Sequence, residues 1–301
     1  MTTSIPFGRR STADQVLAGI DLTGKHIIVT GCNSGLGLET MNAFAANGAA
    51  VIGLARTLES ASRACAQASP ACFPVACDLT DLNSIAGALR AIRALSVPLD
   101  AIVANAGVAN LPSLHTRYGV ELQFLTNHLG HFMLVNGLTD LVRDGSGRIV
   151  IVSSRASISL APGEGIMFDN LDGRRFYRPA IFYAQSKLAN ALYAKELARR
   201  LSSRGIAVNS VDPGVARTRL TQGLAARLFA KTAPQAAATQ ALLAASPQAA
   251  GTTGEYWHNC KIAEGNALLN DAALAGRLWD ISLETLERQQ PLADPSLQQA
   301  A

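Results

Sequence analysis

The sequence is poor in charge and in aromatic rings: of 301 residues only 16% are charged and 5% aromatic. What replaces charge is apolar, at 49% hydrophobic letters. Such a chain buries enough surface to offset ordering entropy, so disorder is excluded. Its 26 Lys and Arg against 22 Asp and Glu leave +4. The cations are scattered, and no basic stripe interleaved with aromatics points to nucleic acid. No apolar run reaches the roughly 18 residues needed to span a bilayer. Residues 1–10 lack the apolar core and small-residue cleavage site of a secretion signal. The five cysteines (Cys32, Cys65, Cys72, Cys77 and Cys260) are odd in number and form no C-x-x-C pair. They read as free thiols of a reducing cytoplasm, not as a disulfide frame or a metal site.

What is present is an alternation. Apolar, β-branched runs at 26–30, 50–54, 73–77, 99–105, 148–153, 206–211 and 254–257 are separated by helical patterns. Most of the runs are continuously apolar, as in strands covered on both faces. Helices are expected at 35–47, 58–67, 82–95 (with Thr80 or Asp81 as N-cap), 119–142, 180–203, 235–245 and 271–289. This order predicts right-handed crossovers and one α/β, doubly wound, Rossmann-type domain over residues 21–289. The expected parallel sheet has about seven strands, ordered 3-2-1-4-5-6-7. Residues 1–20 read as a peripheral extension and 290–301 as a tail.

The first run leads into Thr30-Gly31-Cys32-Asn33-Ser34-Gly35-Leu36-Gly37 and then a helix. Glycine lets the backbone turn sharply and approach an anion with no Cβ in the way. The helix start aims free N–H groups and its positive dipole end at the same spot. A dinucleotide's diphosphate suits it, with Gly31, Asn33, Ser34, Gly35, Leu36 and Gly37 as contacts. The second run ends at Arg56, where such folds read the adenosine ribose. An acidic residue there pairs with a free 2′-hydroxyl, whereas an arginine fork suits a 2′-phosphate. NADP(H) is therefore favoured over NAD(H).

Tyr183 and Lys187 stand four apart on an expected helix, about 6 Å apart along its axis and on one face. A free tyrosine, with pKa near ~10, is a poor base at neutral pH. A nearby ammonium favours the phenolate, so the pair is expected to exchange a proton with an alcohol or carbonyl oxygen. The fifth strand ends in Ser153-Ser154, and either hydroxyl there suits a substrate oxygen. His128 and His131 read as packing or polar-contact residues, because no carboxylate or third ligand accompanies them.

The G-x3-G-x-G turn, Asp78-Leu79, Asn105-Ala106-Gly107, Asn127, Ser153-Ser154, Tyr183-x-x-x-Lys187 and Pro213-Gly214 occur in one order. That order resembles the short-chain dehydrogenase/reductase family, over about residues 22–286. The resemblance implies that Asp78 and Leu79 meet the adenine and that Asn105, Ala106 and Gly107 steady the sheet and the cofactor turn. It implies that Asn127 holds a water relaying protons to Lys187, and it places catalysis on Ser154, with Ser153 as the alternative. Lys187 would grip the nicotinamide ribose beside Tyr183. Pro213, Gly214, Val215 and Thr218 would lie against the nicotinamide carboxamide or the pyrophosphate.

The 29-residue step from Ser154 to Tyr183 contains Phe168-Asp169-Asn170-Leu171-Asp172. This resembles the retinol dehydrogenase and protochlorophyllide reductase branch, which implies a lipophilic ketone or aldehyde and its alcohol. Ile158, Leu160, Ile166, Met167, Phe168, Leu220, Leu224, Leu228 and Phe229 are candidates to line an apolar pocket. The family also implies a homodimer or homotetramer through 119–142 and 180–203. A catalytically silent nicotinamide-binding regulator or scaffold is the alternative. Retention of Asn127, Ser154, Tyr183 and Lys187 argues against it.

Overall fold

The computed structural model describes residues 5–69, 71–216 and 230–289. Its strands are β1 (His26–Thr30), β2 (Ala50–Ala55), β3 (Phe73–Ala76), β4 (Ala101–Ala104), β5 (Thr116–Arg117), β6 (Val120–Glu121), β7 (Arg148–Val152), β8 (Ala207–Asp212), β9 (Tyr256–His258) and β10 (Lys261–Ile262). Eight of them form one sheet, ordered β10-β9-β8-β7-β4-β1-β2-β3. The seven expected strands are present in the expected order. The eighth, β10, pairs antiparallel with β9, Lys261 opposite His258, and at two residues it is too short to show as an apolar run.

The helices are α1 (Ala13–Leu17), α2 (Gly35–Ala46), α3 (Leu58–Ala68), α4 (Leu82–Ala94), α5 (Leu122–Phe124), α6 (Gly130–Asn136), α7 (Ala156–Ser159) and α8 (Pro179–Arg200), followed by Ala233–Ala245 and Ala272–Gln289. Alternating strand side chains feed two cores. Ile27, Val29, Val51, Val103 and Val150 pack with Val16, Phe44 and Leu242 from α1, α2 and the helix Ala233–Ala245. Ile28, Ile52, Ile102, Ile149 and Ile151 pack with Leu89, Phe132, Tyr193 and Trp279 from α4, α6, α8 and the C-terminal helix. The central strands β1, β2, β4 and β7 are therefore covered on both faces, which is why their runs are apolar.

Three expectations need correction. Residues 13–17 are not peripheral. Thr12 and Gln15 form a capping box, and Ala13, Val16 and Leu17 are buried. The helix expected over 119–142 is instead several pieces. Tyr118 (φ 57°) and Gly119 (φ 73°) form the tight turn of the β5–β6 hairpin. The Glu121 carboxylate then caps α5, accepting from Gln123 and Phe124 N–H. A π turn, Leu125–Leu129, precedes α6. Finally, the helical surfaces expected to pair two copies are used in part within the chain. Trp279 of the C-terminal helix packs 4.9 Å from Phe132 and 5.9 Å from Tyr193, centroid to centroid. Ser282 meets His128 Nε2 at 2.9 Å. The expected tail, 290–301, lies outside the described residues.

Candidate active site

The C-terminal ends of β1, β2, β3, β4, β7 and β8 open on one cleft of about 2430 Å³. A pocket for one small ligand is typically ~300–1,000 Å³, so the cleft has room for a dinucleotide and a second molecule. Gly31, Asn33, Ser34, Gly35 and Leu36 line it. Gly31 turns the chain at φ +69°, and a Cβ there would come within 3.0 Å of Ala106 Cα. Gly37 lies behind the turn, where a Cβ would fall 2.2 Å from the Gly31 carbonyl oxygen. Ser34, the N-cap of α2, makes no side-chain bond to the helix, which leaves the first-turn N–H groups for an anion. The donor-rich, Cβ-free turn thus fits a diphosphate.

Arg56, Asp78 and Leu79 line the same cleft. The N-cap of α4 is Asp81, which accepts from Asn83 N–H at 2.9 Å. Asp78 instead accepts from Thr80 N–H and Oγ1–H at 2.9 and 2.8 Å. Asn105, Ala106 and Gly107 also reach the cleft. Asn105 ties β4 to the glycine turn, its side-chain amide donating to the Thr30 carbonyl at 2.8 Å. Its Oδ1 accepts from Gln240 at 3.2 Å.

Ser154, at the end of β7, and Tyr183 and Lys187, in the first turns of α8, converge on the cleft. The two serines differ in use. The Ser153 hydroxyl is buried and donates to the Lys187 carbonyl at 2.7 Å, whereas the Ser154 hydroxyl accepts from Ala156 N–H at 3.2 Å on the cleft wall. The Lys187 ammonium donates to the Val152 carbonyl at 2.9 Å and lies 6.0 Å from the Tyr183 ring centre. Asn127 sits on the π turn, wholly buried and off the cleft wall. Its amide clasps Val108 through N–H and C=O, at 2.8 and 2.9 Å, and donates to Ser186 at 2.9 Å. Asn127 and Lys187 both close over Gly107: a Cβ there would meet Asn127 Oδ1 at 2.9 Å and Lys187 Nζ at 3.3 Å.

The charge states differ from the expectation that Lys187 lowers the Tyr183 pKa. Burial pushes Tyr183 above its ordinary value. Ser154 opposes this and Asp212 adds to it. Lys187, pushed down by burial to about 8, stays mostly protonated at neutral pH but does not offset the burial of the phenol. The phenol is therefore protonated at neutral pH, the state a proton donor requires. His128 and His131 are both buried polar-contact residues, as expected. Burial pushes them down to about 3 and about 4.

Pro213, Gly214 and Val215 line the cleft. Thr218, Leu220, Leu224, Leu228 and Phe229 lie outside the described residues. Of the other apolar candidates, Leu160 lines the cleft. Ile166 is in the core, and Phe168 stacks under Arg277 at 4.4 Å. Sequence reasoning missed Arg9, Arg155, Asp212, Lys231 and His258 on the cleft wall. None of them belongs to a local motif. Asp212 is held below the usual carboxylate range despite burial, by His258 Nδ1 at 2.9 Å and Gly214 N–H at 2.9 Å.

Residues 25–166 match the short chain dehydrogenase family. The chain is similar to retinol dehydrogenase 14 of Homo sapiens, 34% identical over 290 residues, covering 86% of this chain and 85% of that one. It is similar to the chloroplastic short-chain dehydrogenase TIC 32 B of Brassica napus, 35% identical over 305 residues, covering 93% and 94%. Among solved structures it resembles an uncharacterized protein from Mycobacterium Paratuberculosis, with TM-score 0.75 and 27% identity, covering 90% and 97%.

Proposed function

We propose, from the premise that this chain belongs to the short-chain dehydrogenase/reductase family and is a nicotinamide-dependent oxidoreductase, that it interconverts a lipophilic ketone or aldehyde and its alcohol with NADP(H). The observation that carries this reading is the meeting of Ser154, Tyr183 and Lys187 in the cleft that also holds the glycine turn and Arg56. Gly31, Asn33, Ser34, Gly35 and Leu36 would hold the diphosphate and Arg56 a 2′-phosphate. Asp78 and Leu79 would meet the adenine, Lys187 and Tyr183 the second ribose, and Pro213, Gly214, Val215 and Thr218 the carboxamide. When bound, the nicotinamide supplies a hydride to the carbonyl carbon or takes one from the alcohol.

Ser154 donates a hydrogen bond to the substrate oxygen and steadies its developing charge. Tyr183 gives that oxygen its phenolic proton in reduction and takes it back in oxidation. Lys187, next to Asn127 over Gly107, favours the transient phenolate and returns a proton to it. Val108, Leu122 and Leu160 on the cleft wall support a lipophilic substrate, as does the similarity to retinol dehydrogenase 14.

Five buried, unpaired thiols accord with a cytoplasmic setting. Among the described residues no helix is long and apolar enough to cross a membrane. Pairing of copies through 119–142 and 180–203 would have to use the faces that the C-terminal helix leaves open beside Phe132, Tyr193 and His128. The test is Tyr183→Phe. NADPH oxidation with hydrophobic carbonyls should vanish while NADPH affinity stays within a few-fold. Persistent turnover would overturn the assignment.

A further inference from the structure

His131 lies one helical turn beyond Asn127 and is fully buried. Its Nδ1 is 2.9 Å from the Asn127 carbonyl oxygen, and its Nε2 is 2.9 Å from Thr30 Oγ1. These partners fix the tautomer. A carbonyl only accepts, so Nδ1 carries the proton. Thr30 Oγ1 already accepts from Asn105 N–H and Ala106 N–H, each at 2.9 Å. Its single proton is therefore left for Nε2, which accepts it. Burial holds the imidazole neutral, at about 4, so the ring donates at one end and accepts at the other throughout neutral pH.

The two ends belong to different parts of the site. Thr30 closes β1 and precedes the glycine turn. Asn127 sits on a π turn, where the helix ladder is locally displaced. Asn127 and Lys187 press on Gly107 from the same side of the cleft. A shift of the π turn would move Asn127 against Lys187, the residue that must return a proton to Tyr183.

We propose that His131 is a positioning residue, a rigid two-ended bridge that sets the Asn127 turn at a fixed height above the β1–glycine turn and so keeps the proton path aligned with the bound cofactor. This rests on the oxidoreductase reading above. His131 touches neither substrate nor cofactor, so its loss should appear in kcat and leave binding alone.

The two bonds can be separated. In His131→Asn the amide nitrogen takes the place of Nδ1 and keeps the Asn127 bond. In His131→Gln the longer side chain reaches Thr30 and gives up Asn127. His131→Leu keeps neither. With NADPH and decanal, His131→Leu and His131→Gln should lose kcat toward the ~100-fold that an ångström of misplacement costs. KM for decanal and the NADPH dissociation constant should stay within a few-fold, and His131→Asn, which gives up the Thr30 end, should lose kcat as well. A folded His131→Leu or His131→Gln with undiminished kcat overturns the proposal. So does a loss of activity that only follows the unfolded fraction, with kcat per folded molecule unchanged, since a merely structural bridge would behave that way. A readout without turnover is the ¹⁵N spectrum of the imidazoles, in which His131 should be neutral with the proton on Nδ1. The Nε2–H form would overturn the proposal. If the wild-type chain reduces no carbonyl compound, the oxidoreductase reading falls, and the spectrum still decides whether the bridge exists.

Discussion

Thr30 carries more hydrogen bonds than its size suggests, and Thr30→Val would measure what they contribute. The residue is 1% exposed, and valine keeps its shape. The hydroxyl accepts from Asn105 N–H and Ala106 N–H and faces His131 Nε2, all at 2.9 Å. Asn105 N–H has a second acceptor in the Val103 carbonyl at 3.0 Å, so its loss is partly covered. Ala106 N–H and His131 Nε2 are left without a partner. Each buried orphan costs about 1–3 kcal/mol, so destabilisation of about 3 kcal/mol is expected. That is roughly a 150-fold change in the unfolding equilibrium. Urea unfolding followed by far-UV circular dichroism reads this as a shift in midpoint with unchanged slope. Thr30→Ser, which keeps the hydroxyl, should recover most of the loss. A Thr30→Val midpoint within ~0.5 kcal/mol of wild type would refute the reasoning, since that is the size of an ordinary surface substitution.

Other outcomes rest on the same geometry. Gly37→Ala would place a Cβ 2.2 Å from the Gly31 carbonyl oxygen and 2.6 Å from Asn105 Nδ2. It should deform the turn, cost about 1–3 kcal/mol and abolish NADPH binding in a fluorescence titration. Gly87→Ala in α4 meets nothing closer than 3.9 Å, and should raise the urea midpoint by about 0.5–1 kcal/mol. An unaltered NADPH affinity in the first, or a lowered midpoint in the second, would contradict the packing described. Arg56→Gln should weaken NADPH binding by about 10–100-fold through loss of a charge-assisted phosphate contact and leave NADH unchanged. Equal loss for both cofactors would remove Arg56 from the phosphate site.

Acid stability is set in part by the two buried histidines. Their folded values, about 3 and about 4, lie below the ordinary 6.5, so the unfolded chain takes up protons first as pH falls. Their contribution is complete above pH 6.5 and is lost as pH drops toward 4 and then 3. Between pH 7 and 5 each removes about 2 kcal/mol. Urea midpoints that stay flat over that interval would refute it.

What was legible in the sequence was what depends on neighbours in the chain. The strands showed because two-sided burial makes runs such as Ala101–Ala104 apolar throughout. The glycine turn showed because its chemistry is packed into eight consecutive residues, and Tyr183 and Lys187 showed because helical spacing puts them together. The misreadings share an opposite cause. The 119–142 pattern looks helical, but Tyr118 and Gly119 take left-handed angles that a tight hairpin demands, and the π turn alters the helical phase of the residues after it. Residues 13–17 form a helix too short to show a period, and its burial is set by helices far away in sequence. At Tyr183 burial raises the phenol above its ordinary value, and burial is not written locally. Gln240 and His131 join the site through partners 135 and 101 positions distant, which no motif announces.

The placement of Trp279 and Ser282 has a consequence for how the molecule comes into being. The segment that completes the aromatic floor over Phe132, Tyr193 and His128 leaves the ribosome after the residues it covers. Until it emerges, two aromatic rings and a histidine that belong in the dry interior face water and any neighbouring nascent chain. The nucleotide-binding half can collapse early, but the half bearing Tyr183 waits for residues made after it. Release before residue 272 would leave a sticky, unfinished protein, and a chaperone that shields this floor would protect the step at which the chain is most exposed.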